Sequence, residues 1–262
     1  EKIYSPIWIN YTLPKLVRRN KIDVLFSPNI LVPLWGIKSS KLISVVHDVF
    51  PKAYKNYYPF FYRVYLECLL PLSIRKSDRI ITVSDFSKSE IIKFFGIPSD
   101  KIRVIYNTAS RIFRPQKCTL EEKNKLRGKF NLPERFILNV GVINKRKNIL
   151  TLLKLHDLLL SRGCNLGLVL VGKPGFDYEN IGPEIAKRKK KVVRIHSMSD
   201  DELLQLYNIA FAFVFPSYYE GFGIPPLEAM QTGLPVIASN TSSLPEVVGE
   251  GGITHDPDDY LS

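Results

Sequence analysis

Cysteine, methionine and long apolar runs are scarce in this chain. Its 262 residues include 3 cysteines, Cys68, Cys118 and Cys164, widely spaced and with no CxxC pair. That excludes a disulfide scaffold, argues against a thiolate zinc site, and fits a reducing, cytoplasmic setting. The 2 methionines are Met198 and Met230. With no starting methionine, the sequence is expected to be an internal stretch of a longer protein. No apolar run approaches the roughly 18 residues a membrane helix needs. The longest, Leu166 to Val171 and Ile209 to Phe215, have the length of buried strands. No leader peptide is expected within this stretch. No GxGxxG follows a strand, and no RNP, helix-turn-helix or zinc-finger signature occurs. A nicotinamide-dependent oxidoreductase and a nucleic-acid-binding module therefore both lack their fingerprints.

What is present is ordinary globular composition, 45% hydrophobic and 24% charged, which excludes disordered and fibrous classes. The net charge is +12, and it is unevenly placed. Residues 1–115 hold 19 Lys/Arg against 8 Asp/Glu, whereas 116–262 hold 18 against 17. A basic half and a neutral half point to two lobes with different partners. The basic half suits an anionic membrane surface, an anionic acceptor or nucleic acid, and equally a merely solvated lysine-rich surface. It contains an aromatic stretch with interleaved cations, from Tyr54 to Tyr65. Such a stretch suits a membrane interface or a lipid-linked acceptor, and also an ordinary packed helix.

Short β-rich runs alternate with helix-period segments. Strands are expected at Asp23–Ser27, Leu42–His47, Arg79–Ser84 and Arg103–Tyr106, with helices at Pro59–Lys76 and Phe86–Phe95. A second series of strands follows at Phe136–Val142, Leu168–Gly172, Val192–His196, Phe211–Pro216 and Val236–Ser239. Its helices lie near Asn148–Ser161, Glu179–Lys190, Asp200–Ile209 and Pro226–Thr232. The alternation predicts an α/β fold of two doubly wound parallel-sheet lobes, with strands buried on both faces. The expected boundaries are 1–115 for the first lobe, 116–132 for a linker with a short helix, and 133–262 for the second lobe. Ligands of such sheets bind beyond the carboxyl ends of the strands.

Three motifs fall at such ends. In Pro216–Met230 a strand is followed by a loop with Gly221 and Gly223, then by a helix opened by Pro225 and Pro226. The glycines would let backbone approach a ligand, and the helix end would attract an anion such as a diphosphate. Glu220 and Glu228 would then face ligand hydroxyls; a loop carboxylate plus a helix-capping Glu accounts for them equally well. In Asn139–Asn148 a strand ends at Gly141, and Lys145, Arg146 and Lys147 follow. They could neutralise a departing diphosphate, or form a solvated turn. In Val45–Pro51, His47 stands beside Asp48. That pairing could orient an imidazole, or be structural; with no nucleophile elbow, a hydrolase triad is unsupported.

Together, Glu220–Glu228, Gly233–Ser239, Leu244–Gly249, Val140–Asn148, Ser77–Lys88 and the His47–Asp48 strand end resemble glycosyltransferase family 4, from about residue 20 onward. The resemblance implies a GT-B fold, two Rossmann-like lobes facing across a cleft, with the first lobe incomplete here. It implies a retaining, metal-independent transferase with no cofactor. Such an enzyme moves a mannose- or glucose-type hexosyl group from a nucleotide-diphosphate sugar, such as GDP-mannose or UDP-glucose, to a saccharide or lipid-linked acceptor. Glu220 and the backbone of Gly221, Phe222, Gly223 and Ile224 would meet the donor sugar and diphosphate, and Glu228 the ribose. Arg146 and Lys147, beyond Gly141, would stabilise the leaving diphosphate. His47 would contact the transferred sugar, and Ser197 and Met198 would hold the nucleobase.

Some positions depart from the family pattern. Val142 stands where many members have Arg, and Asn107–Ser110 replaces an Asn-Gly turn. The glycine-rich loop expected early in the first lobe and the C-terminal helix that crosses back are both missing. The local wording is most like bacterial enzymes of surface polysaccharide and lipopolysaccharide assembly, often mannosyltransferases. A cytoplasmic enzyme, peripheral on the inner membrane face and without a nucleic-acid partner, is expected. A nucleotide-sugar epimerase or phosphorylase on the same fold is the alternative, as is a non-catalytic nucleotide-binding module.

Overall fold

The computed structural model describes residues 7–37, 40–54 and 60–261. Residues 55–59 of the aromatic stretch, and the side chains of 60–63, 65 and 66, lie outside the described part. The chain divides into two compact units, Glu1–Asn107 and Thr108–Ser262.

In the first unit four strands, β1 (Val24–Ser27), β2 (Lys41–Val46), β3 (Arg79–Thr82) and β4 (Ile102–Val104), form a parallel sheet in the order β1-β2-β3-β4. Val46, Ile80, Ile91, Phe95 and Ile102 pack its core with Leu70 and Ile74 of the helix Phe60–Lys76. Ser84 caps the helix Asp85–Phe95 by accepting from the Ser87 N–H at 3.0 Å, and Gly96 ends it in the left-handed region, φ +65°. The backbone N–H of Leu42 and the ammonium of Lys41 hold the Asp78 carboxyl below the usual carboxylate range. Strand β1 corrects the expectation of strands buried on both faces. It is an edge strand, and Val24 and Phe26 are exposed. A helical segment over Trp8–Arg19 also precedes it; Pro14 obscures it in the sequence.

The second unit holds β5 (Phe136–Val140), β6 (Gly167–Val171), β7 (Val192–Ile195), β8 (Ala212–Phe215), β9 (Val236–Ser239) and β10 (Ile253–His255). They form one parallel sheet in the order β10-β9-β8-β5-β6-β7. Side chains alternate between two cores, as the two-residue strand period requires. Phe136, Leu138, Val169, Val171, Phe213 and Phe215 face the core that includes Tyr207, Ala229 and Leu244. Ile137, Leu168, Leu170 and Val214 face the core of Ile149, Leu152, Ile181 and Ile185. Helices cover both faces, so these strands read as continuous apolar runs.

The boundary differs from the sequence expectation. The stretch 116–132 does carry a helix, Leu120–Phe130, opened by a capping box between Thr119 and Glu122. Phe113, Leu126 and Leu132 are buried in the second unit's core, so this stretch belongs to that unit instead of linking two bodies.

Candidate active site

The strand order of the second unit reverses between β5 and β8: the chain winds outward through β6 and β7, then returns to β8 and winds the other way. Two neighbouring strands whose connections leave in opposite directions open a crevice at their carboxyl ends. Both basic and acidic motifs lie there.

After β5, Asn144 accepts the Lys147 N–H at 3.1 Å and tightens Lys145–Lys147 into a 3₁₀ turn. The turn sorts the three cations. Lys145 is exposed, Arg146 is half-buried and Lys147 is buried. The Lys147 stem runs over Gly141, and its ammonium sits 4.6 Å from the centre of the Phe215 ring. After β8, Tyr218 N–H donates to Arg146 O at 2.9 Å, binding the acidic loop to the basic turn. Lys147 Nζ then reaches Glu220 Oε1 at 2.5 Å, and Arg146 Nη1 lies 3.4 Å from Glu220 Oε2 and 3.1 Å from Tyr219 O. Two cations thus share one buried carboxylate.

Sequence reasoning missed the residues that hold this cluster. Ser217, fully buried, donates to Glu220 Oε1 at 2.5 Å. The loop after β9 clamps the acidic loop. Ser242 Oγ accepts the Glu220 N–H at 3.0 Å, and the Ser243 hydroxyl shares its one proton between Glu220 O at 2.9 Å and Phe222 O at 2.7 Å. Ser239 and Thr241 donate to Ser217 O. A run of small hydroxyl residues looks like a solvated loop; the available signal is that Ser239–Ser243 follows a strand end next to β8.

The helix beyond the loop starts earlier than expected, at Ile224 instead of Pro226. Pro225 and Pro226 therefore occupy its first turn and remove two N–H donors. Of the donors such an end would offer an anion, those of Gly223 and Ile224 remain. Gly223 has φ +112°, and a Cβ there would come within 2.8 Å of Leu244 Cδ2. The glycine is demanded by that backbone conformation and by Leu244, not by open space for a ligand.

Glu228, in the middle of this helix, has a different environment. Tyr207 Oη donates to Glu228 Oε2 at 2.9 Å. Burial raises the Glu228 carboxyl above the usual glutamate value, the tyrosine hydrogen bond opposes that rise, and Asp200 adds to it. Ser197 and Met198 follow β7, two strands from the crevice; Ser197 is exposed and Met198 packs on the core. The structure thus joins Arg146, Lys147 and Glu220 through side-chain contacts, while Glu228 pairs with Tyr207. His47 lies in the first unit at the end of β2, exposed, with Nε2 3.3 Å from Pro28 O. Asp48 accepts the Phe50 N–H at 3.1 Å, opening the short helix Phe50–Ala53. Among the described residues no group of three His, Cys, Asp or Glu side chains could hold a metal ion.

Comparison with known proteins bears on the family and the fold. The glycosyl transferases group 1 family matches residues 121–259, and glycosyltransferase family 4 matches residues 1–109. The O-antigen chain mannosyltransferase B of Escherichia coli is 34% identical over 247 residues, 93% of this chain and 64% of that protein. The O-antigen chain mannosyltransferase RfbU of Salmonella typhimurium is 35% identical over 222 residues, 83% of this chain and 57% of that protein. The chain therefore spans less than two thirds of the length of either relative. The crystal structure of Anabaena HepE in complex with UDP and glucose superposes with a TM-score of 0.74 at 19% identity, over 94% of this chain and 67% of that one; at that identity it speaks for the fold alone.

Proposed function

The chain belongs to the glycosyl transferases group 1 family, and from that membership we propose that it transfers a hexosyl group, mannose by preference, from a nucleoside-diphosphate sugar to a saccharide or lipid-linked acceptor. The reading includes retention of anomeric configuration, no need for a metal, and peripheral contact with an anionic membrane. Among the described residues no helix is long and apolar enough to cross a membrane. The names of the two relatives support mannose and a polysaccharide acceptor. The Anabaena structure, alike in fold, is in complex with UDP and glucose, which motivates a nucleoside-diphosphate donor in this proposal. The observation that carries the reading is the cluster of Lys147 and Arg146 on Glu220 at the β5–β8 crevice.

In the proposed reaction the bond from the anomeric carbon to the diphosphate oxygen breaks, and its electron pair leaves with the diphosphate. Arg146 and Lys147 take up that developing charge, assisted by the N–H groups at Gly223 and Ile224. The acceptor hydroxyl forms its bond to the anomeric carbon on the same face, and its proton passes to an oxygen of the departing diphosphate. Glu220 accepts hydrogen bonds from the donor sugar, and Glu228 from the ribose. Removing one of the two cations should cost about 2–4 kcal/mol of transition-state stabilisation, roughly 10²–10³ in rate.

Thermal-shift titration with GDP, UDP, ADP, GDP-mannose, UDP-glucose and NAD tests the donor class. A ligand of the folded state at about 100 times its Kd adds about 2.7 kcal/mol. One nucleoside diphosphate and its sugar should stabilise the protein, and Glu220→Ala should abolish transfer while the fold persists. Stabilisation by NAD alone, turnover unaffected in Glu220→Ala, or a trapped glycosyl-enzyme adduct would each count against this scheme.

A further inference from the structure

A buried tyrosine hydroxyl needs a partner, and Tyr207 has a carboxylate within reach. The ring is almost fully buried, at 1% exposure. It packs edge-on against Phe113, with centroids 5.6 Å apart, and tilted against Phe213 at 5.8 Å. Its position in the helix Asp200–Ile209 fixes its backbone. The hydroxyl therefore has little freedom. It points at the next helix, 2.9 Å from Glu228 Oε2 and 3.4 Å from Pro225 O. Glu228 is half-buried and keeps a second carboxylate oxygen for another donor.

We propose that Tyr207 is a positioning residue for the donor nucleotide: its hydroxyl fixes one oxygen of Glu228 so that the other is presented to the ribose hydroxyls. This rests on the ribose role proposed for Glu228. The bond also has an electrostatic consequence. A hydroxyl donating to a carboxylate favours its ionised form, and so opposes the rise that burial and Asp200 impose on Glu228. Tyr207 thus holds the carboxylate both in place and in the state that accepts two hydroxyl donors.

The test is Tyr207→Phe, which keeps the ring and removes only the oxygen. Kd values are measured by calorimetry for UDP and GDP and for their 2′,3′-dideoxy counterparts, with Glu228→Ala and the Tyr207→Phe/Glu228→Ala double variant alongside. For the ribonucleotide that binds, Tyr207→Phe should weaken affinity about fivefold, the scale of one hydrogen bond. The dideoxy counterpart should bind both proteins equally, and in the Glu228→Ala background Tyr207→Phe should have no further effect. The acid-side loss of ribonucleotide affinity should begin at higher pH in Tyr207→Phe than in wild type. Equal weakening for ribo- and dideoxynucleotides would make Tyr207 a packing residue and overturn the inference. If Glu228→Ala loses the preference for ribose while Tyr207→Phe keeps it fully, the inference about Tyr207 alone fails. If Glu228→Ala retains that preference, the ribose reading of Glu228 fails as well. Should Tyr207→Phe not fold, ribonucleotide affinity of wild type that stays flat from neutral pH down through the usual glutamate range would overturn the inference.

Discussion

Replacing Lys147 by Met keeps the length of the side chain and removes its charge, and the structure says what that should cost. Lys147 and Glu220 have side chains only 10% and 9% exposed, and their charged atoms are 2.5 Å apart. Removing one partner of a buried pair typically costs about 3–5 kcal/mol, because the other charge is stranded. Here Glu220 keeps the Ser217 hydroxyl at 2.5 Å and the Arg146 guanidinium at 3.4 Å. Lys147→Met should therefore fall below that range, at about 2–3 kcal/mol. Glu220→Gln should cost a similar amount, since it strands two cations. The double variant strands only Arg146 and should cost no more than about 2 kcal/mol, giving a coupling energy of at least about 2 kcal/mol. The assay is urea unfolding of the four proteins, with the slope checked for constancy. The Arg188–Asp157 pair is the internal control. Asp157 is 46% exposed, so that coupling should stay under about 1 kcal/mol. A Lys147–Glu220 coupling below about 0.5 kcal/mol would mean that the pair does not hold the acidic loop, and would refute the reasoning.

Glu228→Gln should raise thermal stability near neutral pH. Burial raises the folded-state carboxyl above its ordinary value, so the native protein binds more protons than the unfolded chain between the two values. The group's contribution is present below the ordinary glutamate value and is lost as pH rises through the raised one. The gain from glutamine should accordingly vanish toward pH 4 in melting curves recorded across pH. Gly223→Ala should cost about 2 kcal/mol or more, from φ +112° and the approach to Leu244. Gly233→Ala, with φ +78° and open space around its Cβ, should cost only about 1 kcal/mol in the same measurement.

Much of the fold was legible because the signals are local and repeated. Nine of the ten described strands overlap the β-rich runs expected from the sequence, and the helix Asp200–Ile209 is marked at its start by Ser199 and Glu202, a capping box. What escaped is short or exposed. Strand β10, Ile253–His255, has three residues, with Ile253 65% exposed, so no buried run announces it. The helix Leu244–Val248 has five residues and begins with proline at its first turn. In the candidate site, Glu220, Arg146 and Lys147 stood out through the motifs that resemble the family, since charge at a strand end alone reads equally well as a solvated turn. Ser217 and Tyr207 did not. A serine in a loop and a tyrosine on an apolar helix face have ordinary explanations, and only the three-dimensional packing shows their hydroxyls aimed at carboxylates.

The crevice also sets an order of events. Lys147 and Glu220 are 73 positions apart in sequence, and they meet only when β8 docks beside β5. Before that, β6 and β7 must have looped out and the chain must have returned, and such non-local parallel pairing is the slow part of assembling a sheet. During synthesis from the N-terminus, the basic turn emerges well ahead of the carboxylate that balances it. The serines that clamp the acidic loop, Ser242 and Ser243, emerge later still. The site thus matures late in this unit: a nascent chain halted before Glu220 would carry the two cations of the candidate site without their internal counterion, and would meet the anions of its surroundings in that state.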